Sequence, residues 1–137
     1  VYYDENINEL VKTYDIVICS APLTSRTEKI FSYTFFKNMK KDSIFINVSR
    51  GKLVDTKSLI RKNIYKKFRG IGLDVTDPEP LESNHPLNRA NNIFITPHIA
   101  GPSDKNRERG FDLIMINLKR YFTGKELLNI VNKLKEY

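Results

Sequence analysis

Four apolar runs in this sequence each end in a polar or proline-bearing exit, and three of them deliver a charged or titratable side chain. Ile44-Phe45-Ile46-Asn47-Val48 leads into Ser49-Arg50-Gly51, the pattern of a buried strand that delivers a charged side chain to a site. A guanidinium in that place holds a small carboxylate through a planar pair of hydrogen bonds, which a lysine cannot match. Gly70-Ile71-Gly72-Leu73-Asp74-Val75 reads as the next strand and carries Asp74 near its end, whose carboxylate offers an acceptor to an amide N–H. Ile93-Phe94-Ile95-Thr96 exits through Pro97-His98-Ile99-Ala100-Gly101, and a histidine titrating near neutrality can give or take a proton at a carbinol or carbonyl oxygen. Glu79, set in Asp77-Pro78-Glu79-Pro80, is the candidate carboxylate to pair with His98 and favour its protonated form. The flanking prolines restrict its backbone and help to aim it. The fourth run, Ile16 to Cys19, stops at Ser20-Ala21-Pro22, where proline ends ladder bonding.

Taken singly, each of these residues has an ordinary role. Arg50 fits a solvated turn, His98 a loop histidine bonded to backbone, Glu79 an exposed loop acid, and Asp74 a cap on the turn after it. His85, beside Pro86 and away from any strand end, reads as structural. What favours a joint role is position, since Ser20-Ala21-Pro22, Arg50, Asp74 and His98 all fall at the carboxyl ends of strands. Arg50, Glu79 and His98 together fit reversible hydride transfer to a 2-keto acid, with the hydride supplied by a cofactor.

The elements that must position them alternate. Ile7, Leu10, Val11 and Tyr14 follow helical spacing, with Asn6 and Glu9 placed as a capping box. A second helix is expected around Phe36 and Met39, and a third from the N-cap Asp55 to about Lys66, with Leu59, Ile60 and Ile64 inward. Thr76 to Asn92 carries three prolines and reads as a long loop. From about Asp104 to Phe122, the set Phe111, Ile114, Met115, Leu118 and Phe122 marks an amphipathic helix that Gly124 stops. Gly110 inside it costs about 1 kcal/mol relative to alanine, so close packing against a neighbour is the expected reason for it. Leu127 to Val131 is compatible with a last short strand. Strand and helix in alternation imply a parallel α/β sheet, whose ligands bind outside the carboxyl ends of its strands.

With 137 residues and 40% hydrophobic content the chain is one domain's worth and can bury a core. It has no apolar run that would span a bilayer, and a single cysteine with two histidines gives neither a disulfide nor a zinc spacing. A cytoplasmic protein without membrane or metal is expected. The net charge of +7 raises a nucleic-acid partner, but the basic residues are spread, and the densest run, Arg61 to Arg69, is interrupted by Asn63, Ile64, Tyr65 and Phe68. A solvated helix face explains it better. No G-x-G-x-x-G occurs to cradle a pyrophosphate, and a sheet starting at Ile16 would leave that strand an unpaired edge, so an upstream half is expected.

Asn47-Val48-Ser49-Arg50-Gly51, Gly72 to Leu81, Asn84-His85-Pro86-Leu87 and Pro97-His98-Ile99-Ala100-Gly101 together resemble the D-isomer-specific 2-hydroxyacid dehydrogenases. The Asp-Val-Thr and Asn-His-Pro-Leu details are most similar to glyoxylate/hydroxypyruvate reductases. The resemblance spans about Tyr3 to Val131 and implies the C-terminal half of a Rossmann-like, doubly wound dinucleotide-binding domain over residues 1–126, with 127–137 returning to a substrate-binding domain. It implies that Arg50 orients the substrate, His98 is the acid/base, Glu79 pairs with it and Asp74 holds the nicotinamide carboxamide. Ala21, Pro22, Val48, Ala100 and Gly101, with Arg50 and His98, would line the cleft for NAD or NADP. A small 2-keto acid and a homodimer are the implied partners. Ser20 stands where many members have a histidine, which leaves the adenosine contacts open. A nucleotide-sensing corepressor on the same scaffold and a phosphoglycerate dehydrogenase are the competing functions.

Overall fold

The computed structural model describes residues 7–134 and 136. The chain forms two compact units, Val1–Ala100 and Gly101–Tyr137. In the first, α1 (Ile7–Leu10) runs on as a 3-10 turn over Val11–Thr13 and is followed by β1 (Ile16–Cys19), α2 (Tyr33–Asn38), β2 (Ile44–Asn47), α3 (Thr56–Ile60), β3 (Gly70–Leu73) and β4 (Ile93–Ile95). Asn6 of the expected capping box lies outside the described residues.

The four strands make one parallel sheet in the order β1-β2-β3-β4. Parallel neighbours need a crossover, and α2 and α3 supply the first two. Side chains alternate across the strands, so Val17, Cys19, Phe45, Asn47, Ile71 and Leu73 share one face. That face is the core: Phe35 and Phe36 of α2, Leu59 of α3, and Phe31, Leu53 and Phe68 close over it. Phe45 sits at its centre, edge-to-face with Phe31 at 5.0 Å and with Phe36 at 5.2 Å. The opposite face carries Ile16, Ile18 and Phe94, which stay exposed among the described residues. The result is a Rossmann-like α/β sheet.

The third helix departs from the expected length. It ends at Ile60, and the stretch Arg61–Lys67 is 3-10 turns broken at Lys62 and Asn63, whose φ angles are +52° and +53°. Two consecutive left-handed residues cannot continue a right-handed helix. Asp55 is the N-cap by position, but its carboxylate accepts from the Ser58 hydroxyl instead of a helix amide. Lys67, at the end of this stretch, donates to the Lys37 and Met39 carbonyls at 2.8 and 2.5 Å and so caps the end of α2. Burial of its amine holds its pKa below the ordinary lysine value.

The second unit is α4 (Asn106–Phe122) and the segment after it. Gly124 stops α4 as expected: its φ is +67°, and the Lys125 N–H donates to the Arg120 carbonyl at 2.9 Å, closing a Schellman motif. Leu127 to Val131 is not a strand. It is tied back to the helix by Asn117, which exchanges bonds with the Leu128 carbonyl and N–H at 3.1 and 2.8 Å, so both backbone groups of Leu128 are taken by a side chain. The expected inward set, Phe111, Ile114, Met115, Leu118 and Phe122, is exposed, because the described residues of this unit form no second layer to cover it. A Cβ at Gly110 would meet nothing within 4 Å, so close packing does not explain that glycine.

Candidate active site

Beyond each strand's last residue the parallel ladder continues for one more bond. The Val48 N–H donates to the Cys19 carbonyl at 3.1 Å, Asp74 to Asn47 at 2.9 Å and Thr96 to Leu73 at 3.0 Å. The exits of β1 to β4 are thereby held in one row, and Ala21, Pro22, Val48, Arg50, Asp74, Glu79, His98 and Ala100 all follow from that row. Gly101 opens the second unit.

Asn47 builds the turn that carries Arg50. Fully buried, it donates through Nδ2 to the Arg50 carbonyl at 2.9 Å and accepts through Oδ1 from the Ser49 N–H at 3.1 Å and hydroxyl at 3.0 Å. The Ser49 hydroxyl also meets Cys19 Sγ at 3.2 Å, which joins this turn to the end of β1. With its backbone so fixed, Arg50 is exposed, and among the described residues its guanidinium bonds only the adjacent Ser49 carbonyl, through Nη1 at 2.7 Å. Its remaining guanidinium donors are available for a planar carboxylate.

Asp74 organises the His98 turn. It is only 5% exposed, and its carboxylate accepts from the Thr96 hydroxyl at 2.5 Å, the Ile99 N–H at 2.9 Å and the Ala100 N–H at 2.9 Å. The Thr96 bond, followed by those two amides and the nearby His98, holds its carboxyl below the ordinary aspartate pKa against the opposing effect of burial. The Asp74 carbonyl accepts from the His98 N–H at 2.9 Å. His98 itself has φ +55°, a conformation rare outside glycine, and these bonds to Asp74 on either side of it over-determine that conformation.

The outcome is a pair: His98 Nδ1 lies 2.8 Å from Glu79 Oε1, with both side chains about half exposed. Because Nδ1 faces the carboxylate, Nε2 is the ring atom left to exchange a proton with a ligand. Glu79 is no isolated loop acid, and His98 is not turned onto backbone. His85 caps its own 3-10 turn, Nδ1 accepting from the Leu87 N–H at 3.3 Å, in keeping with a structural role. Sequence reasoning missed Asn47, Ser49 and Thr96, polar residues at the last position of a strand or just beyond it; that placement was the available signal.

Three donors meet the Asp74 carboxylate, and two oxygens offer about four lone-pair sites. One acceptor position therefore remains for an amide N–H. Val48, Ala21, Pro22 and Ala100, which follow the strand exits, are exposed. Among the described residues there is no cluster of histidine, cysteine and carboxylates that would hold a metal, and no helix long and apolar enough to cross a membrane.

This chain is similar to known proteins. The family model for the D-isomer specific 2-hydroxyacid dehydrogenase NAD binding domain matches residues 1–100. A glyoxylate reductase of Thermofilum pendens is 34% identical over 128 residues, 93% of this chain and 38% of that protein. The human glyoxylate reductase/hydroxypyruvate reductase is 39% identical over 99 residues, 72% of this chain and 30% of that protein. The crystal structure of a D-isomer specific 2-hydroxyacid dehydrogenase from Xanthobacter autotrophicus Py2, in complex with NADPH and MES, superposes with a TM-score of 0.86 at 28% identity, covering 96% of this chain and 53% of that one. The chain thus spans between about a third and a half of the relatives it matches. A parallel sheet whose carboxyl edge gathers arginine, aspartate and a histidine–glutamate pair, and a family match across that whole unit, place this chain in the D-isomer-specific 2-hydroxyacid dehydrogenase family.

Proposed function

We propose that the protein is an oxidoreductase that reduces a small 2-keto acid of the glyoxylate or hydroxypyruvate type with NADH or NADPH. The observation that carries this reading is the contact of His98 Nδ1 with Glu79 Oε1 at 2.8 Å, on the strand edge that also presents Arg50. Arg50 takes the substrate carboxylate in its planar fork and so fixes where the ketone lies. His98, held by Glu79 through Nδ1, delivers a proton from Nε2 to the ketone oxygen, which becomes the hydroxyl of the product. Asp74 accepts the carboxamide N–H, and Val48, Ala21, Pro22, Ala100 and Gly101 line the nicotinamide side. The bound dinucleotide supplies the hydride that this chain's residues cannot. Residues 127–137 are the segment that returns to a substrate-binding part, and a cytoplasmic homodimer completes the proposal on family membership alone.

Replacing His98 by alanine in the full-length protein tests the acid. Turnover is expected to fall by about 10² to 10⁴, the usual contribution of a positioned acid or base, while dinucleotide affinity changes little. Turnover equal to that of the wild type removes His98 from the mechanism.

A further inference from the structure

Glu79 has a second partner besides His98. Its Oε2 lies 3.4 Å from the backbone N–H of Thr76, three residues earlier, while the Thr76 hydroxyl donates to the Pro78 carbonyl at 2.8 Å. A side chain that bonds two residues ahead closes a small turn of its own. Here the turn folds Glu79 back over Thr76, so that its two carboxylate oxygens face different donors, His98 on one and Thr76 on the other.

The same residue is pressed against the arginine turn. A Cβ built on Gly51 would stand 1.9 Å from the Thr76 carbonyl oxygen and 2.2 Å from its carbon, both backbone atoms that cannot swing aside. Only glycine allows this approach. A further bond secures it: the Thr56 hydroxyl, at the start of α3, donates to the Asp77 carbonyl at 2.9 Å. Thr76 therefore touches the segment that carries Arg50 through its carbonyl and the carboxylate of Glu79 through its amide.

We propose that Thr76 is a positioning residue, which holds the Glu79 carboxylate against His98 and ties that pair to the turn bearing Arg50. This inference rests on the keto-acid reductase reading for its consequence in turnover, but its geometry stands without it. A half-exposed glutamate on a loop samples several rotamers unless something holds it, and each rotamer away from His98 frees the imidazole to turn. The Thr76 amide selects the productive one, and the hydroxyl bond to the Pro78 carbonyl fixes the loop that aims this amide at Glu79.

The test compares Thr76→Val, which keeps the branched shape and loses the donor, with Thr76→Ser, which keeps the donor. In the full-length protein Thr76→Val should lower kcat about three- to tenfold, the range of one net hydrogen bond, with KM changed less than twofold and with Thr76→Ser close to wild type. In a Glu79→Ala background, Thr76→Val should cost nothing further, because its path to His98 is gone. The His98 Nδ1–H resonance gives a readout that needs no turnover: present in the wild type and Thr76→Ser, lost or broadened in Thr76→Val. If the wild type reduces no keto acid, the reductase reading fails while this spectrum still judges Thr76. Unchanged kcat and an unchanged His98 signal in Thr76→Val overturn the inference, as does an undiminished loss in the Glu79→Ala background. Should Thr76→Val not fold, Thr76→Ala, which also lacks the donor, takes its place with the same expectations.

Discussion

At Asp74 one carboxylate meets three donors from a single turn, and this gives the site a pH dependence with a definite sign. A carboxyl whose folded pKa is depressed contributes stability that is full above its unfolded value, about 4, and is lost as the pH falls through the folded value. Asp74→Asn cannot show this behaviour. The variant should be less stable than the wild type at pH 7, since its NH₂ cannot accept from both amides, and the gap should narrow below about pH 4. Chemical denaturation of both proteins from pH 7 to pH 3 measures it; a gap constant over that range contradicts the role given to Asp74. Arg50, Asp74 and His98 stood out in the sequence because each is a charged or titratable group after an apolar run, and Glu79 because prolines bound it on both sides. Asn47, Ser49, Thr96 and Thr76 were not, because a small polar residue at a strand end acquires its meaning only from the neighbouring strand or turn that it bonds.

The elements were read more easily where periodicity was strict. All four strands stand where their apolar runs placed them, within two residues at their ends. The third helix was over-extended, because Leu59, Ile60 and Ile64 keep helical spacing while Lys62 and Asn63 turn left-handed between them. Side-chain period reports which residues face inward; it does not report backbone handedness, and asparagine tolerates that region better than most residues. The face of the sheet that packs under α2 and α3 rests on Phe45, fully buried among Phe31, Phe35 and Phe36. Phe45→Ala should cost about 3 to 5 kcal/mol by emptying that space, read as a shift of the urea midpoint at unchanged slope. A loss under about 1 kcal/mol would mean that the aromatic cluster does not hold α2 to β2.

On the scale of the molecule, the first unit is a four-stranded parallel sheet with its chemistry gathered on one edge, and the second is a single amphipathic helix with a tail. The sequence told the sheet well, since parallel strands buried on a face are apolar throughout and their exits polar. It told less about α4, whose apolar stripe states that something covers it without stating what. The central claim concerns the full-length protein: that these strand ends reduce a keto acid. The most direct measurement is the oxidation of NADH and of NADPH, followed by absorbance, with glyoxylate, hydroxypyruvate, pyruvate and phosphohydroxypyruvate. Turnover with glyoxylate or hydroxypyruvate is the predicted result, and the preferred dinucleotide and acid then name the substrate pair. Absence of turnover with all four, in a protein that binds the dinucleotide, contradicts the account and favours a sensing role on the same scaffold.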